Sequence, residues 1–210
     1  MIEILMVDDH AMFREGLKQI LAKHADLQIT DEVGNGSDAL QKIRSRDYDV
    51  VVLDISMPGQ SGWEVLSEIR REKPHIPVLI LSMHPEDQFA IRMLKAGASA
   101  YVSKECVAEE LIAALRKVAA GGKYVSQALA EKLAFALDTR TDKLPHQLLS
   151  NREFEVMCML ASGKTLKEIA DLLCLSEKTI TTYRARILEK TQLRNNVELT
   201  RYVIQHKLLA

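Results

Sequence analysis

Val50-Val51-Val52-Leu53-Asp54-Ile55-Ser56-Met57-Pro58-Gly59 decides how the first half of the chain folds. Four consecutive apolar residues, three of them β-branched, read as a strand buried on both faces, the situation of a parallel sheet covered by helices. The run stops at a carboxylate. Met57-Pro58-Gly59 cannot continue a central strand, because proline lacks the N–H donor and glycine favours turns, so Asp54 stands where strand opens into loop. In open α/β sheets ligands bind at this carboxyl edge, and Asp54 is expected to face them from a rigid backbone. An isolated aspartate at such a position is more often a turn former.

Working outward, Glu3-Ile4-Leu5-Met6-Val7 is a second short apolar run that ends in acid, at Asp8-Asp9, just before a helical pattern. If both strands belong to one parallel sheet, three carboxylates converge on one edge. Two unit charges about 4 Å apart repel by roughly 1 kcal/mol in water and about 4 kcal/mol at an effective dielectric near 20. Such a cluster needs a cation or a shared proton. Oxygen ligands favour a hard divalent ion, and Mg2+ is the usual one where phosphate is handled. The plain alternative is that Asp8 and Asp9 only cap the following helix.

The remaining apolar runs repeat the theme. Residues 11–22 carry Phe13, Leu17, Ile20 and Leu21 at helical spacing, and 27–33 read as strand. Gly34-Asn35-Gly36-Ser37 is a turn in which Ser37 can cap a helix to Ser45, and a third helix runs from Gly62 to about Lys73. Val78-Leu79-Ile80-Leu81-Ser82 follows two prolines as a strand, and the next helix, from Glu86 to Ala96, ends at Gly97. Ala100-Tyr101-Val102-Ser103 is a fifth strand, succeeded at once by Lys104 and then by a helix over about 107–120. Five strands alternating with five helices predict an α/β, flavodoxin-like, doubly wound five-stranded parallel domain over residues 1–122. Asp8, Asp9, Asp54, Ser82 and Lys104 all fall at the carboxyl ends of its strands.

The 210 residues suffice for one large domain or two small ones with proper cores, and a hydrophobic content of 47% with 27% charged residues belongs to a soluble globular protein. The net charge of −1 conceals an asymmetry: −4 over residues 1–137 and +3 over 144–210. A basic carboxyl part is compatible with nucleic-acid binding. No apolar run approaches the roughly 18 residues of a membrane span, and the amino terminus lacks a signal pattern, so a cytoplasmic protein is expected. Cys106, Cys158 and Cys174 show no C-x-x-C spacing, which points to core or semi-buried thiols rather than disulfides or zinc.

With "VDDH" after strand one, "LDISMPG" after strand three, Ser82 after strand four and "AYVSK" at strand five, the first domain resembles the receiver domain of bacterial response regulators. The resemblance implies Asp54 as phosphoacceptor, Asp8, Asp9, Asp54 and the backbone carbonyl of Ser56 around Mg2+, and Lys104 as the contact to the phosphoryl group. It implies Ser82 as the hydroxyl that moves to bind that group, and Tyr101 as the aromatic that swings in behind it. The chemistry is intelligible without the family. A carboxylate and a phosphate are both anionic, so a divalent ion and a lysine must screen their approach. The acyl phosphate so formed adds nearly two negative charges and three strong acceptors at one spot. Taken singly, Ser82 reads as a turn hydroxyl and Tyr101 as core packing.

Residues 123–138 have a helical pattern, and Thr139 to His146, polar and interrupted by Pro145, read as linker, so that 123–146 form a connecting stretch. From residue 147 the pattern is helical, with start signals at Ser150-Asn151-Arg152-Glu153, Thr165-Leu166-Lys167-Glu168, Ser176 and Asn195. A short helix, a tight turn and a longer helix rich in Lys, Arg and Thr make a helix-turn-helix, the centre of an all-α four-helix domain over 147–210. "LSNREFEVMCMLASGKTLKEIADLLCLSEKTITTYRARILEKTQL" resembles the LuxR-type helix-turn-helix, which joined to a receiver makes the NarL/FixJ class. "TYRARILEK" is similar to the GacA/UvrY-like branch, while Thr181 and Tyr183 stand where many members of the class carry Lys and His. The match puts the scaffold helix at about 166–173, the recognition helix at about 177–190, and a dimerisation helix around 197–206.

Lys178, Arg184 and Arg186 are the expected phosphate contacts, and Thr181 and Thr182 can offer a hydroxyl or methyl to base edges. The same charges would also serve simply to solvate a surface helix. The reading is a DNA-binding transcription regulator, dimeric when phosphorylated, whose Asp54 takes a phosphoryl group from a histidine kinase or a small phosphodonor. Two rivals stand beside it: an aspartate-nucleophile phosphohydrolase, which would want its nucleophile on the first strand and a cap domain, and a constitutive DNA binder using the receiver only to dimerise.

Overall fold

A computed structural model of the chain describes residues 1–84, 86–127, 129–131, 144–206 and 208, without the side chains of 87 and 88. It divides into two compact units, 1–136 and 137–210.

In the first unit β1 (Ile2–Val7), α1 (Ala11–Leu21), β2 (Leu27–Val33), α2 (Gly36–Ser45), β3 (Val50–Leu53), α3 (Gly62–Glu72), β4 (Val78–Ser82), α4 (Glu86–Lys95), β5 (Ala100–Ser103) and α5 (Ala108–Ala119) alternate. The five strands form one parallel sheet in the order β2-β1-β3-β4-β5. Alternate residues bury on opposite faces. Ile4, Met6, Val50, Val52, Leu79 and Leu81 pack with Leu17 and Leu21 of α1 and Leu111 and Leu115 of α5, while Leu5, Val7, Val51, Leu53 and Ile80 between them are equally buried. This explains why the central strands read as unbroken apolar runs.

Register fixes what meets at the carboxyl edge. Val7 pairs with Leu53, so Asp8 and Asp54 leave the sheet side by side, and Ser82 pairs with Ser103, which brings Lys104 to the same edge. The strand order reverses between β1 and β3, where such sheets open a crevice. Between β3 and α3 the Ser61 N–H donates to Glu64 Oε2 at 2.9 Å, closing the loop behind Asp54. The cap of α2 differs from expectation: Asn35, not Ser37, accepts from the Asp38 N–H at 2.9 Å, because the helix begins two residues earlier than a Ser37 cap would have it, at Gly36.

Of the helix expected over 123–138, residues 127 and 129–131 are helical, and 132–138 lie outside the described residues, as do 139–143 of the expected linker. Pro145–Leu148 of that stretch is a 3-10 helix. The second unit continues with α6 (Asn151–Ala161), α7 (Leu166–Leu172), α8 (Glu177–Thr191) and α9 (Asn196–Gln205). Ser150, Thr165, Ser176 and Asn195 cap the four helices as their sequence signals indicate. Phe154, Met157, Ile169, Ile180, Ile187, Leu199 and Val203 fill the core. Leu188, expected beside Ile180 and Ile187, is only partly buried.

Between α7 and α8 the turn is made by Cys174 with φ of +50°, and the Leu175 N–H returns to the Ala170 carbonyl at 2.9 Å. That backbone conformation pushes the Cys174 thiol outward, so this cysteine is exposed rather than semi-buried; Cys158 is buried and Cys106 intermediate.

Candidate functional site

Asp54 follows the last residue of β3, its N–H held by the Val7 carbonyl at 2.9 Å. Contrary to the expectation of an exposed carboxylate, it is 2% exposed, because Lys104 covers it. The Lys104 ammonium lies 2.7 Å from Asp54 Oδ2 and 2.6 Å from Asp8 Oδ2, and its nitrogen sits 4.6 Å from the centre of the Phe13 ring. The cation needed by the acidic cluster is therefore supplied first by the protein. Side chains of all three partners are 4% exposed or less, and breaking a pair buried this deeply typically costs about 3–5 kcal/mol. Burial, with the charge of Asp8 added to it, holds the Asp54 carboxyl above its ordinary value against the pull of Lys104. Burial alone would lower Lys104, but Asp54 and Asp8 together outweigh it and keep the ammonium charged.

The other Asp8 oxygen accepts the His10 N–H at 2.8 Å, so Asp8 both fixes the turn before α1 and lines the site. Ligand atoms of Asp8, Asp9, His10 and Asp54 lie within 4.8 Å of one another. His10 was not foreseen; its Nδ1 is 2.9 Å from Asp9 Oδ1 and 3.2 Å from Asp8 Oδ1. Asp9 Oδ1 is buried and, beyond this close approach of the imidazole nitrogen, receives no hydrogen bond. An orphaned buried carboxylate oxygen beside two further carboxylates is the donor set a hard divalent cation satisfies. Arg14, also unforeseen, donates to the Asp8 carbonyl at 2.6 Å and holds the β1–α1 turn from beneath.

A second group lies along β4 and β5. Ser82, fully buried, accepts the His84 N–H on its hydroxyl at 3.1 Å. Tyr101 is also fully buried and donates its hydroxyl to the His84 carbonyl at 2.8 Å. The His84 ring stacks on Phe89 with centroids 4.4 Å apart, and its Nε2 is 2.9 Å from Ser56 Oγ. Ser56 in turn donates its N–H to Asp54 Oδ1 at 3.1 Å. Burial lowers the His84 pKa, so the ring is a neutral hydrogen-bonding partner. His84 thus joins Ser82, Tyr101 and the loop after Asp54, yet no periodicity or motif in its neighbourhood marks it.

In the second unit α8 buries Ile180 and Ile187 and turns Lys178, Thr181, Thr182 and Arg186 outward. Lys178, Thr182 and Arg186, four residues apart, line one shallow pocket with Ser176, Thr179 and Tyr183. Thr181 and Thr182 return their hydroxyl protons to the carbonyls of Glu177 and Lys178 at 2.8 and 3.0 Å, which leaves methyls and oxygen lone pairs facing out. Arg184 is not with this group. It lies toward α9, where its Nε donates to Asn196 Oδ1 at 2.6 Å. Tyr183 and Thr179 were missed as members of the outward face, although their spacing of four could have paired them.

Val197 and Ile204 are exposed on α9 and share a surface with Thr200 and Arg201. Among the described residues no helix is long and apolar enough to cross a membrane.

Comparison with known proteins finds the response regulator receiver domain over residues 4–116 and the bacterial regulatory proteins, luxR family, over residues 147–203. The response regulator GacA of Pseudomonas aeruginosa is 37% identical over 210 residues, covering 100% of this chain and 98% of that protein. The response regulator UvrY of Escherichia coli K12 is 34% identical over 209 residues, covering 99% and 96%. RcsB from Salmonella enterica serovar Typhimurium, solved bound to promoter rprA in the presence of phosphomimetic BeF3−, matches with a TM-score of 0.68 over 97% of this chain and 98% of that one; at 23% identity this is a likeness of fold.

Proposed function

Since the chain belongs to the response regulators that join a receiver to a LuxR-type DNA-binding domain, we propose that its switch is phosphorylation of Asp54. The receiver is assigned to residues 1–122, the connecting stretch to 123–146 and the DNA-binding domain to 147–210. The observation that carries the reading is the Lys104 ammonium set between Asp54 and Asp8 at the carboxyl edge of the sheet.

An Asp54 carboxylate oxygen attacks the phosphorus of a phosphohistidine on a sensor kinase, or of a small acyl phosphate. The new O–P bond forms as the P–N or P–O bond to the donor breaks, and the leaving group departs with the bonding pair. Lys104, 2.7 Å from Asp54 Oδ2, is placed to follow the charge onto the phosphoryl oxygens as the incoming group parts it from the carboxylate. Asp8, Asp9 and Asp54, together with the backbone carbonyl of Ser56, would hold Mg2+, which would supply screening between the carboxylates and the incoming phosphoryl group. Ser82 gives its hydroxyl to a phosphoryl oxygen by leaving the His84 N–H, and the shift passes to Tyr101 through the His84 carbonyl. The phosphoryl group stays on the chain, so the protein is a switch rather than a turnover enzyme.

At the other end Lys178 and Arg186 meet the DNA backbone while Thr181 and Thr182 face base edges. Arg184 steadies the recognition helix through its hydrogen bond to Asn196. The phosphorylated chain dimerises on promoter DNA in the cytoplasm, through the Val197–Ile204 face of α9.

The test is incubation of the full chain with acetyl phosphate and Mg2+, followed by peptide mapping. Wild type acquires one phosphoryl group on Asp54, and Asp54→Asn acquires none and binds DNA without regard to the donor. A phosphoryl group mapped to any other residue would overturn the assignment.

A further inference from the structure

The chain leaves the first unit under two restraints. The Tyr124 N–H donates to the Ser99 carbonyl at 2.9 Å, forming an isolated parallel bridge with Ala100 of β5, and the Tyr124 hydroxyl reaches Glu110 Oε1 of α5 at 3.2 Å. Two residues later the Ser126 hydroxyl donates to Glu86 Oε2 at 2.6 Å while accepting the Leu129 N–H at 3.1 Å. Ser126 therefore caps the helical residues that follow, and a carboxylate from α4 stands at their amino end, where negative charge is favoured. The other Glu86 oxygen, Oε1, is buried without a hydrogen-bond partner, so Ser126 is the hydroxyl that holds this carboxylate in place.

Glu86 is the first residue of α4 and stands two residues after His84. His84 is bound to Ser82 through its N–H, to Tyr101 through its carbonyl and to Ser56 through its ring. A shift of Ser82 toward a phosphoryl group moves the His84 backbone, and α4 begins two residues further along the chain, at Glu86. The Glu86 carboxylate then either carries Ser126 along or loses it, and a half-buried carboxylate that loses its donor is strongly disfavoured. The contact therefore takes discrete arrangements instead of yielding gradually.

We propose that the Ser126–Glu86 hydrogen bond is the outlet by which modification at Asp54 is passed to the segment leading out of the first unit. This rests on the reading of Asp54 as the phosphoacceptor. The bond acts on the linker side of the switch, so changing it leaves the chemistry at Asp54 intact and alters only what the rest of the chain learns of it.

The experiment uses the full chain, acetyl phosphate with Mg2+, and two readouts: phosphoryl incorporation by intact mass, and retention of sheared genomic DNA from the encoding organism. Ser126→Asp keeps an acceptor for the Leu129 N–H but sets a second carboxylate against Glu86. Adding Glu86→Gln supplies an amide donor from the opposite side and rebuilds the bond with its polarity reversed. In wild type the donor raises DNA retention about fivefold or more, the range of ordinary allosteric couplings. S126D melts lower, since Glu86 has lost its donor, yet incorporates phosphate as wild type does and loses the gain; S126D with E86Q regains both the gain and the melting temperature. A full gain in S126D overturns the outlet, and so does a loss that E86Q fails to repair. Absence of incorporation in wild type overturns the phosphoacceptor reading itself, a result separate from the other two.

Discussion

Gly62 shows how tightly a single position is drawn around Asp54. A Cβ built there would stand 2.3 Å from the Asp54 carbonyl oxygen and 2.7 Å from the Ile55 Cα, both backbone atoms that cannot move aside. Gly62→Ala is therefore expected to destabilise the first unit by about 1–3 kcal/mol, as overpacking does. Gly16→Ala, whose added Cβ meets nothing within 4 Å, should instead stabilise α1 by up to about 1 kcal/mol. Urea denaturation of the two variants checks the contrast; equal effects would show that the approach of α3 to the β3–α3 loop is not close in solution. In the sequence Gly62 is only the first residue of a helix, because the atom it avoids belongs to a different turn of chain. Asp54 and Lys104 could be read directly, since each is the polar residue that interrupts an apolar run. His84 could not, since its importance lies in three partners and none is a neighbour in a repeating pattern.

Among elements, α8 divides its basic residues between two tasks. Arg186 lies on the outward face with Lys178 and Thr182, whereas Arg184 is tied to Asn196 at the start of α9. Arg186→Ala should weaken DNA binding and lower the slope of log affinity against log salt by about 1, as the loss of one phosphate contact does. Arg184→Ala should mainly cost the second unit about 1 kcal/mol of stability, the worth of one hydrogen bond. Thermal unfolding and salt titration of both variants separate the roles; a full unit of slope lost in Arg184→Ala would return it to the DNA face. Sequence placed all of these residues on one helix and located its caps, because capping boxes and apolar spacing act within a few residues. It treated Arg184 and Arg186 alike, for which side of the helix α9 covers is not a local property.

For the whole molecule, phosphorylation is expected to change the oligomeric state, and the exposed Val197 and Ile204 on α9 offer an apolar surface for it. Ile204→Glu should take up phosphate normally yet remain monomeric in sedimentation velocity with acetyl phosphate, where wild type becomes a dimer. A dimer persisting in Ile204→Glu would move the interface to another face. The amino-acid sequence by itself determined the alternation of strands and helices, the carboxyl-edge position of Asp8, Asp9, Asp54, Ser82 and Lys104, and the helix-turn-helix. Each of these follows from periodicity, from the residues that end a run, or from caps, all forces acting over a few positions. Only the tertiary structure decided that Lys104 closes over Asp54 and Asp8, that His10 joins the acidic cluster, that His84 links Ser56, Ser82 and Tyr101, and that Ser126 is held by Glu86. Those contacts are made when strand register and helix packing bring distant segments to one edge, and a free energy shared among residues far apart in the chain leaves no local pattern to read.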